Sequence, residues 1–396
     1  MTRELRLRKG SDRRLRGGHL WVYSNEIDSK LTPLGGFSAG DVVSVLTADN
    51  TVLGTAYMEP NSLICARLCA PRLEVELGVE FFRAGIERAL QLRESFFEKP
   101  YYRLVYGDSD LLPGVVVDRY GDYCVLQLNN SGIERYEAEL LEAMREVLQP
   151  QGILLRADSR SRREQGLPDR VEVVFGEVPD HLPLEENGVR FLAPVTSGQK
   201  TGWFYDHRMS RARLADYVKD RSVLDVYSYV GGWGVQAAVF GARAVCCVDS
   251  SEPALAAVAD NAALNNVADK VSTCRGQATE VMAQLQSEGR TFDVVVLDPP
   301  AFIQRRKDLK KGIAAYRRIN ELGLRLLSPG GLLVAGSCSM HLGRADLNEA
   351  LQGAARRSGC ELRIIEQGGQ GPDHPIHPAI PETEYLKAAF ARQLVT

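Results

Sequence analysis

Phe292-Asp-Val-Val-Val-Leu-Asp298-Pro299-Pro300-Ala-Phe302 reads as an apolar strand that ends on a carboxylate and then stays extended. Proline fixes its own φ and keeps the residue before it out of the helical region, so Asp298 and the carbonyls after it are held at the strand's end. Open α/β sheets bind their ligands at the C-terminal edge of the strands. A rigid carboxylate there suits a planar substrate such as a nucleobase, whereas Asp-Pro alone would mark only a strand stop and a turn. The rest of the chain decides between the two.

Around that strand, β runs at 222–227, 244–248, 270–274, 331–337, 361–366 and 385–392 alternate with helical stretches such as 252–266 and 312–327. This alternation predicts an α/β, Rossmann-like, doubly wound parallel sheet of seven strands over residues 185–396. The polar Glu185-Glu186-Asn187-Gly188 before it reads as a link. Residues 1–72 carry short strands at 41–47, 52–58 and 62–68, which suit a small β-barrel. Between the two, 73–184 reads as a central α+β domain. Its first helix spans 79–99, with Phe82, Ile86, Ala89, Leu90 and Phe97 repeating near the helical period. Strands at 102–106, 114–118 and 123–128, a helix over 133–148, and strands at 152–156 and 170–175 complete it.

At 396 residues, 44% of them hydrophobic, the chain can bury two or three cores. No apolar run approaches the ~20 residues that cross a bilayer, and the N-terminus lacks the apolar core of a signal peptide, so a cytoplasmic protein without a membrane partner is expected. The eight cysteines form no Cys-x-x-Cys pair and most lie in strand-like apolar runs, which points away from zinc and disulfides. The net charge is −3, yet it is unevenly spread. Arg3, Arg6, Arg8, Lys9, Arg13, Arg14 and Arg16 crowd the first sixteen residues. Arg160/Arg162/Arg163 and Arg305/Arg306/Lys307/Lys310/Lys311 form two more clusters, the last directly after Asp-Pro-Pro. One such cluster is ordinarily a solvated face; three, with one beside the suspected site, favour a nucleic-acid partner.

Asp225-Val-Tyr227-Ser228-Tyr-Val-Gly231-Gly232-Trp-Gly234 is a strand end running into a glycine-rich turn and a helix start, where backbone can approach a ligand closely. The next strand ends on Asp249, placed for the hydroxyls of a cofactor ribose. Both NAD and S-adenosylmethionine carry such a ribose, and Gly232-x-Gly234-x-x-Ala237 fits the dinucleotide fingerprint. Asp225, suited to a cationic amino group, and the Asp-Pro-Pro strand separate the two in favour of S-adenosylmethionine. A dinucleotide-dependent enzyme is the runner-up. Upstream, Gln199-Lys200-Thr201-Gly202 and the following Arg208 lack P-loop spacing and fit a polar lid over the cofactor.

The strand at 331–337 runs into Ser337-Cys338-Ser339, which should stand beside Asp298 if the two strands are neighbours. Most lone cysteines are inert core residues. At this edge the chemistry differs: C5 of cytosine becomes nucleophilic only after a thiolate adds to C6, and a nearby carboxylate can bond the base at N3 and N4. Pro299, Pro300, Phe302, Arg305 and Arg306 then flank the substrate. His374 and His377, without companion ligands, indicate no metal; His374 reads as a substrate contact.

Together these residues resemble the bacterial 23S rRNA 5-methylcytosine methyltransferases that carry an N-terminal PUA domain. Arg8-Lys-Gly-Ser-Asp-Arg-Arg-Leu-Arg-Gly-Gly-His-Leu-Trp21 resembles the family's PUA opening, and Gly107-Asp108-Ser-Asp110-Leu-Leu-Pro113-Gly114 its middle-domain hairpin. Gln199-Lys-Thr-Gly, Asp225-x-Tyr-Ser-Tyr-x-Gly-Gly, Asp298-Pro-Pro and Ser-Cys338-Ser complete the likeness, which covers the whole chain. The resemblance implies three domains at 1–72, 73–184 and 185–396, S-adenosylmethionine as cofactor, rRNA as partner, Cys338 as nucleophile and Asp298 as base-binding acid, and it allows a homodimer. The chain departs from the family at Arg275-Gly-Gln277-Ala278, where Gln277 replaces an acid near the adenine, in the loop 156–166, and at His207 and Leu20, which stand for Gln and Pro. Methylation of another base such as guanine, or a noncatalytic role in RNA binding, are the alternatives within this picture.

Overall fold

The computed structural model describes residues 3–395. The chain divides into two compact units. The first takes the chain up to Pro183 together with Ala193–Tyr205 and Pro372–Thr383; the second takes Leu184–Leu192, Asp206–Gly371 and the chain from Glu384 on.

In the first unit, a five-stranded sheet runs in the order Arg3–Arg6, Val42–Leu46, Val52–Met58, Ile64–Pro71, Trp21–Tyr23. Its buried face carries Leu5, Val22, Val43, Val45, Ala56, Cys65 and Leu68, the apolar members of alternating strands. A second sheet, Arg170–Gly176, Gly152–Ala157, Tyr123–Leu128, Val115–Tyr120 and Tyr101–Tyr106, lies under the helices Val79–Glu94 and Glu137–Leu148. Phe82, Ile86 and Ala89 of the first helix and Leu140 and Met144 of the second share its core. The first helix stops at Glu94, short of the expected Lys99. Arg93 in its last turn is fully buried and forks onto Asp110 at 2.5 and 2.8 Å.

The second unit is built on a seven-stranded sheet in the order Val271–Arg275, Ala244–Asp249, Ser222–Val226, Phe292–Leu297, Leu327–Ser337, Lys387–Gln393, Leu362–Gly368. The first five run parallel, whereas Lys387–Gln393 is antiparallel to both neighbours, so the sheet is mixed and not wholly parallel as expected. The final strand enters by a hairpin-like return instead of a helical crossover, and that return requires the reversal. Strand order reverses between Ser222–Val226 and Phe292–Leu297, the crevice where doubly wound sheets hold ligands. Helix Glu252–Leu264 starts on Ser251, whose hydroxyl accepts from the Ala254 amide, with Pro253 in its first turn.

The supposed link at 185–188 is a hairpin turn joining strands His181–Glu186 and Val189–Pro194. Asn187 and Gly188 both have positive φ, 55° and 78°, the backbone a tight two-residue hairpin demands. Among the described residues no helix is long and apolar enough to cross a membrane.

Candidate active site

Five short segments of the second unit meet at the C-terminal edge of its central strands. Ser222–Val226 ends in a turn in which Tyr227, Tyr229 and Gly231 all take positive φ (67°, 49° and 88°). Such strain in non-glycine residues persists only where surrounding contacts enforce it, and it clusters at ligand sites. Here the amides of Tyr227 and Ser228 both donate to the Val248 carbonyl, and the Tyr229 amide donates to Asp249 at 3.0 Å. Gly234 packs so tightly that a Cβ would come 2.4 Å from the Cys247 sulfur and 3.0 Å from Asp225, so only glycine fits.

Asp225 is fully buried beneath this turn. One carboxylate oxygen accepts the Gly234 amide at 2.8 Å; the other, Oδ1, has no hydrogen-bond partner, and neither has the buried Ser228 hydroxyl. Burial drives the Asp225 pKa up to about 7, with the Gly234 bond opposing and the charges of Asp298 and Asp249 adding. A buried carboxylate with a lone oxygen awaiting a donor fits the cationic amino-acid end of S-adenosylmethionine. Asp249 spends its oxygens on the amides of Tyr229 and Ser251, keeping acceptor capacity for a ribose. Gln277 begins the helix Ala278–Ser287 and is exposed. The residues present therefore fit that cofactor.

Asp298 sits at the end of the neighbouring strand. Its side chain is 21% exposed and both oxygens are engaged from within the unit: Oδ1 lies 3.2 Å from His207 Nε2, and Oδ2 accepts the Trp233 indole at 3.0 Å. Burial alone would raise its pKa, but His207 and Trp233 outweigh that and hold it below the ordinary carboxylate range. Pro299 is buried and Pro300 exposed. Phe302 lies against Tyr316 with ring centroids 4.8 Å apart.

The strand pairing expected from sequence holds: Phe292–Leu297 and Leu327–Ser337 are parallel neighbours, with Leu297 opposite Ala335. Half-buried Cys338 therefore follows directly beside the Asp-Pro-Pro corner, its sulfur 3.9 Å from the Pro299 carbonyl. The turn around it is tied down by Tyr316, whose hydroxyl meets Ser337 at 2.9 Å and Ser339 at 2.8 Å. Arg305, Arg306, Lys307, Lys310 and Lys311, just beyond Asp-Pro-Pro, are all exposed.

The remaining expected residues lie as follows. Arg208 is buried in the second unit, 3.6 Å from Glu186, the carboxylate that Arg211 grips at 2.6 and 3.0 Å. Gln199 and Thr201 belong to the first unit, where the Thr201 carbonyl accepts from Tyr120 and its buried hydroxyl has no partner. His374, expected as a substrate contact, is buried in the first unit, 3.0 Å from Asp373 and tilted against Tyr106 with ring centroids 5.1 Å apart. In the short helix Arg13–Arg16, Arg13 and Arg16 are exposed, Arg16 in a surface ion pair with Asp12, whereas half-buried Arg14 is committed to Glu26, His19 and the Trp21 carbonyl. The cluster at 160–163 is also internally paired, with fully buried Arg162 bound to Glu134 and the Leu128 carbonyl. The pairing of His207 with Asp298 and that of Lys387 with Ser339 escaped sequence reasoning, because no local pattern names so distant a partner.

A family model described as S-adenosylmethionine-dependent methyltransferase matches residues 138–390, and one described as a PUA-like domain matches residues 5–70. The chain is 36% identical over 397 residues to Ribosomal RNA large subunit methyltransferase I of Shewanella denitrificans, covering 99% of this chain and 100% of the relative. It is equally similar, 36% over 401 residues and 100% of both chains, to the protein of that name in Vibrio cholerae. Among solved structures, that of SMU.776 complexed with SAH shares the fold with a TM-score of 0.84 at 21% identity, over 98% of this chain and 100% of that one.

Proposed function

The chain belongs to the S-adenosylmethionine-dependent methyltransferase family, and from that premise we propose that it forms 5-methylcytosine in large-subunit ribosomal RNA through a covalent adduct of Cys338. The relatives' name supports the RNA class. The base and the mechanism rest on one observation above all: a half-buried cysteine sulfur 3.9 Å from the Pro299 carbonyl, at the corner where an acidic strand end and a cofactor turn converge. We propose the division of labour as RNA docking by 1–72, a central domain over 73–184 and chemistry in 185–396.

S-adenosylmethionine supplies an electrophilic methyl group. Asp225 and the turn around Ser228, Gly231 and Gly232 would hold its amino-acid end, Asp249 its ribose and Gln277 its adenine, with Arg208 assigned to the same cofactor. A target base must leave its stack to enter such a pocket. The Cys338 thiolate adds to C6, the C5–C6 π electrons shift toward C5, and C5 becomes the nucleophile. Asp298, held ionised by His207 and Trp233, faces the polar edge of the base as charge develops. Once C5 carries the methyl group, loss of its proton returns the electron pair to the C5–C6 bond and expels the thiolate.

Pro300, Phe302, Arg305 and Arg306 are assigned to the flanking RNA, the arginines to its phosphates. Nucleoside mass spectrometry of rRNA from cells with and without the gene tests the reading. One 5-methylcytosine should vanish and return with wild type but not with Cys338→Ala. A missing methylguanine instead, or full rescue by Cys338→Ala, would overturn the cytosine assignment.

A further inference from the structure

Lys387 is 3% exposed, and among the described residues it has no carboxylate as an ion-pair partner. Lysine is almost never buried this deeply unless paired. Its strand places it directly opposite Ser337, the residue before Cys338, and its ammonium donates at 2.8 Å to the carbonyl of Ser339, the residue after. One buried cation thus reaches across both neighbours of the proposed nucleophile. The other groups that fasten this turn, the hydroxyls of Tyr316, Ser337 and Ser339, are neutral.

We propose that Lys387 is a positioning residue that keeps the Cys338 sulfur in its thiolate form, by fixing the 337–339 turn and by placing a desolvated positive charge beside it. A nearby cation favours thiolate over thiol, and the nucleophile is the thiolate. The coupling runs both ways. Burial pushes the Lys387 ammonium down to about 8, while the charges of Glu384, Cys338 and Asp346 pull it up and Arg344 pushes it down. The ammonium is therefore still the major form near neutrality, and the anion it lacks is the one the chemistry requires. Glu384 is partly committed to Arg344, 3.8 Å away.

This inference rests on Cys338 as the nucleophile, and its test separates the two. Full-length wild type, Lys387→Met and Lys387→Arg are alkylated with iodoacetamide across pH 5–10, and Cys338 modification is read by peptide mass spectrometry. Lys387→Met should move the Cys338 midpoint up by about one pH unit or more, and Lys387→Arg should restore it. An unchanged midpoint in folded Lys387→Met overturns the proposal. Methyl transfer by Lys387→Met should be lost near neutral pH and recover as pH rises, which a purely structural defect would not do. If Lys387→Met does not fold, the reciprocal measurement decides: carbon-13 NMR of lysine side chains should show the Lys387 titration shifted downward in Cys338→Ser, and no shift there overturns it. A thiol coupled to Lys387 together with an active Cys338→Ala enzyme would sink the cytosine mechanism alone.

Discussion

The imidazole of His207 stands 3.2 Å from the carboxylate of Asp298, the acid of the Asp-Pro-Pro corner. Burial penalises the imidazolium, yet the charge and hydrogen bonding of Asp298, with Asp206 assisting and Arg211 opposing, raise the His207 pKa above its ordinary 6.5. Asp298 is lowered from 3.8 in return. The raised histidine stabilises fully below pH 6.5 and loses that contribution as pH climbs through its folded value. The lowered aspartate stabilises above pH 3.8 and loses it on acidification. The pair is thus strongest between those limits. In urea denaturation, His207→Gln should cost on the order of 1–3 kcal/mol near pH 5.5 and progressively less above neutrality. A pH-independent difference would show that the pair is not an ion pair.

Asp225 carries the opposite sign. Its folded pKa is raised to about 7 from 3.8, so wild-type stability without ligand falls as pH rises across that interval, because the folded state binds the extra proton. Asp225→Asn should remove that slope. It should also weaken S-adenosylhomocysteine binding by about 10–100-fold, or roughly 1.4–2.7 kcal/mol, since it removes the anion proposed to face the ligand's ammonium. Calorimetry at pH 8 checks it; unaltered affinity would remove Asp225 from the cofactor site.

Arginines only one or two positions apart should behave differently. Replacing Arg13 and Arg16 with alanine should lower RNA affinity and flatten its dependence on salt by about 0.7–0.9 in the log–log slope for each phosphate no longer neutralised. Arg14→Ala should instead lower the melting temperature, because Arg14 bonds Glu26 at 2.9 and 3.0 Å and lies 4.5 Å over the Tyr23 ring. Filter binding at several salt concentrations, with thermal melts alongside, distinguishes them. Equal melts for Arg14→Ala and Arg13→Ala would contradict this.

Tyr316→Phe should loosen the cysteine turn without touching its sulfur. Removing the hydroxyl leaves the buried Ser337 and Ser339 hydroxyls each short of a partner, at about 1–3 kcal/mol. Methyl transfer should fall while S-adenosylhomocysteine affinity stays constant. A fall in both would mean that the tyrosine supports the whole pocket.

The order of strands and helices after residue 185 was legible because it is written locally: apolar runs such as Phe292–Leu297, the glycine turn at 231–234 and the Asp-Pro-Pro stop each declare their conformation within a few residues. The juxtaposition of Cys338 with Pro299 followed from one further assumption, that consecutive parallel strands pair. The hairpin at Asn187-Gly188 reads in sequence as a polar link, although that dipeptide favours the positive φ a tight hairpin needs. Charge was the poorest guide. Arg14, Arg162, Arg208 and His374 read in sequence as candidate ligand contacts, and tertiary packing gives each a partner within the protein that no local pattern announces. His207 with Asp298, and Lys387 with Ser339, are tens of residues apart, and no propensity or periodicity couples them. Folding brings them together in a low-dielectric interior, and only there do the partner's charge and the loss of water set each group's protonation. The sequence by itself thus determined the α/β class and the strand edge of the candidate site; the tertiary structure decided the reversed last strand and how the polar side chains at that edge are paired.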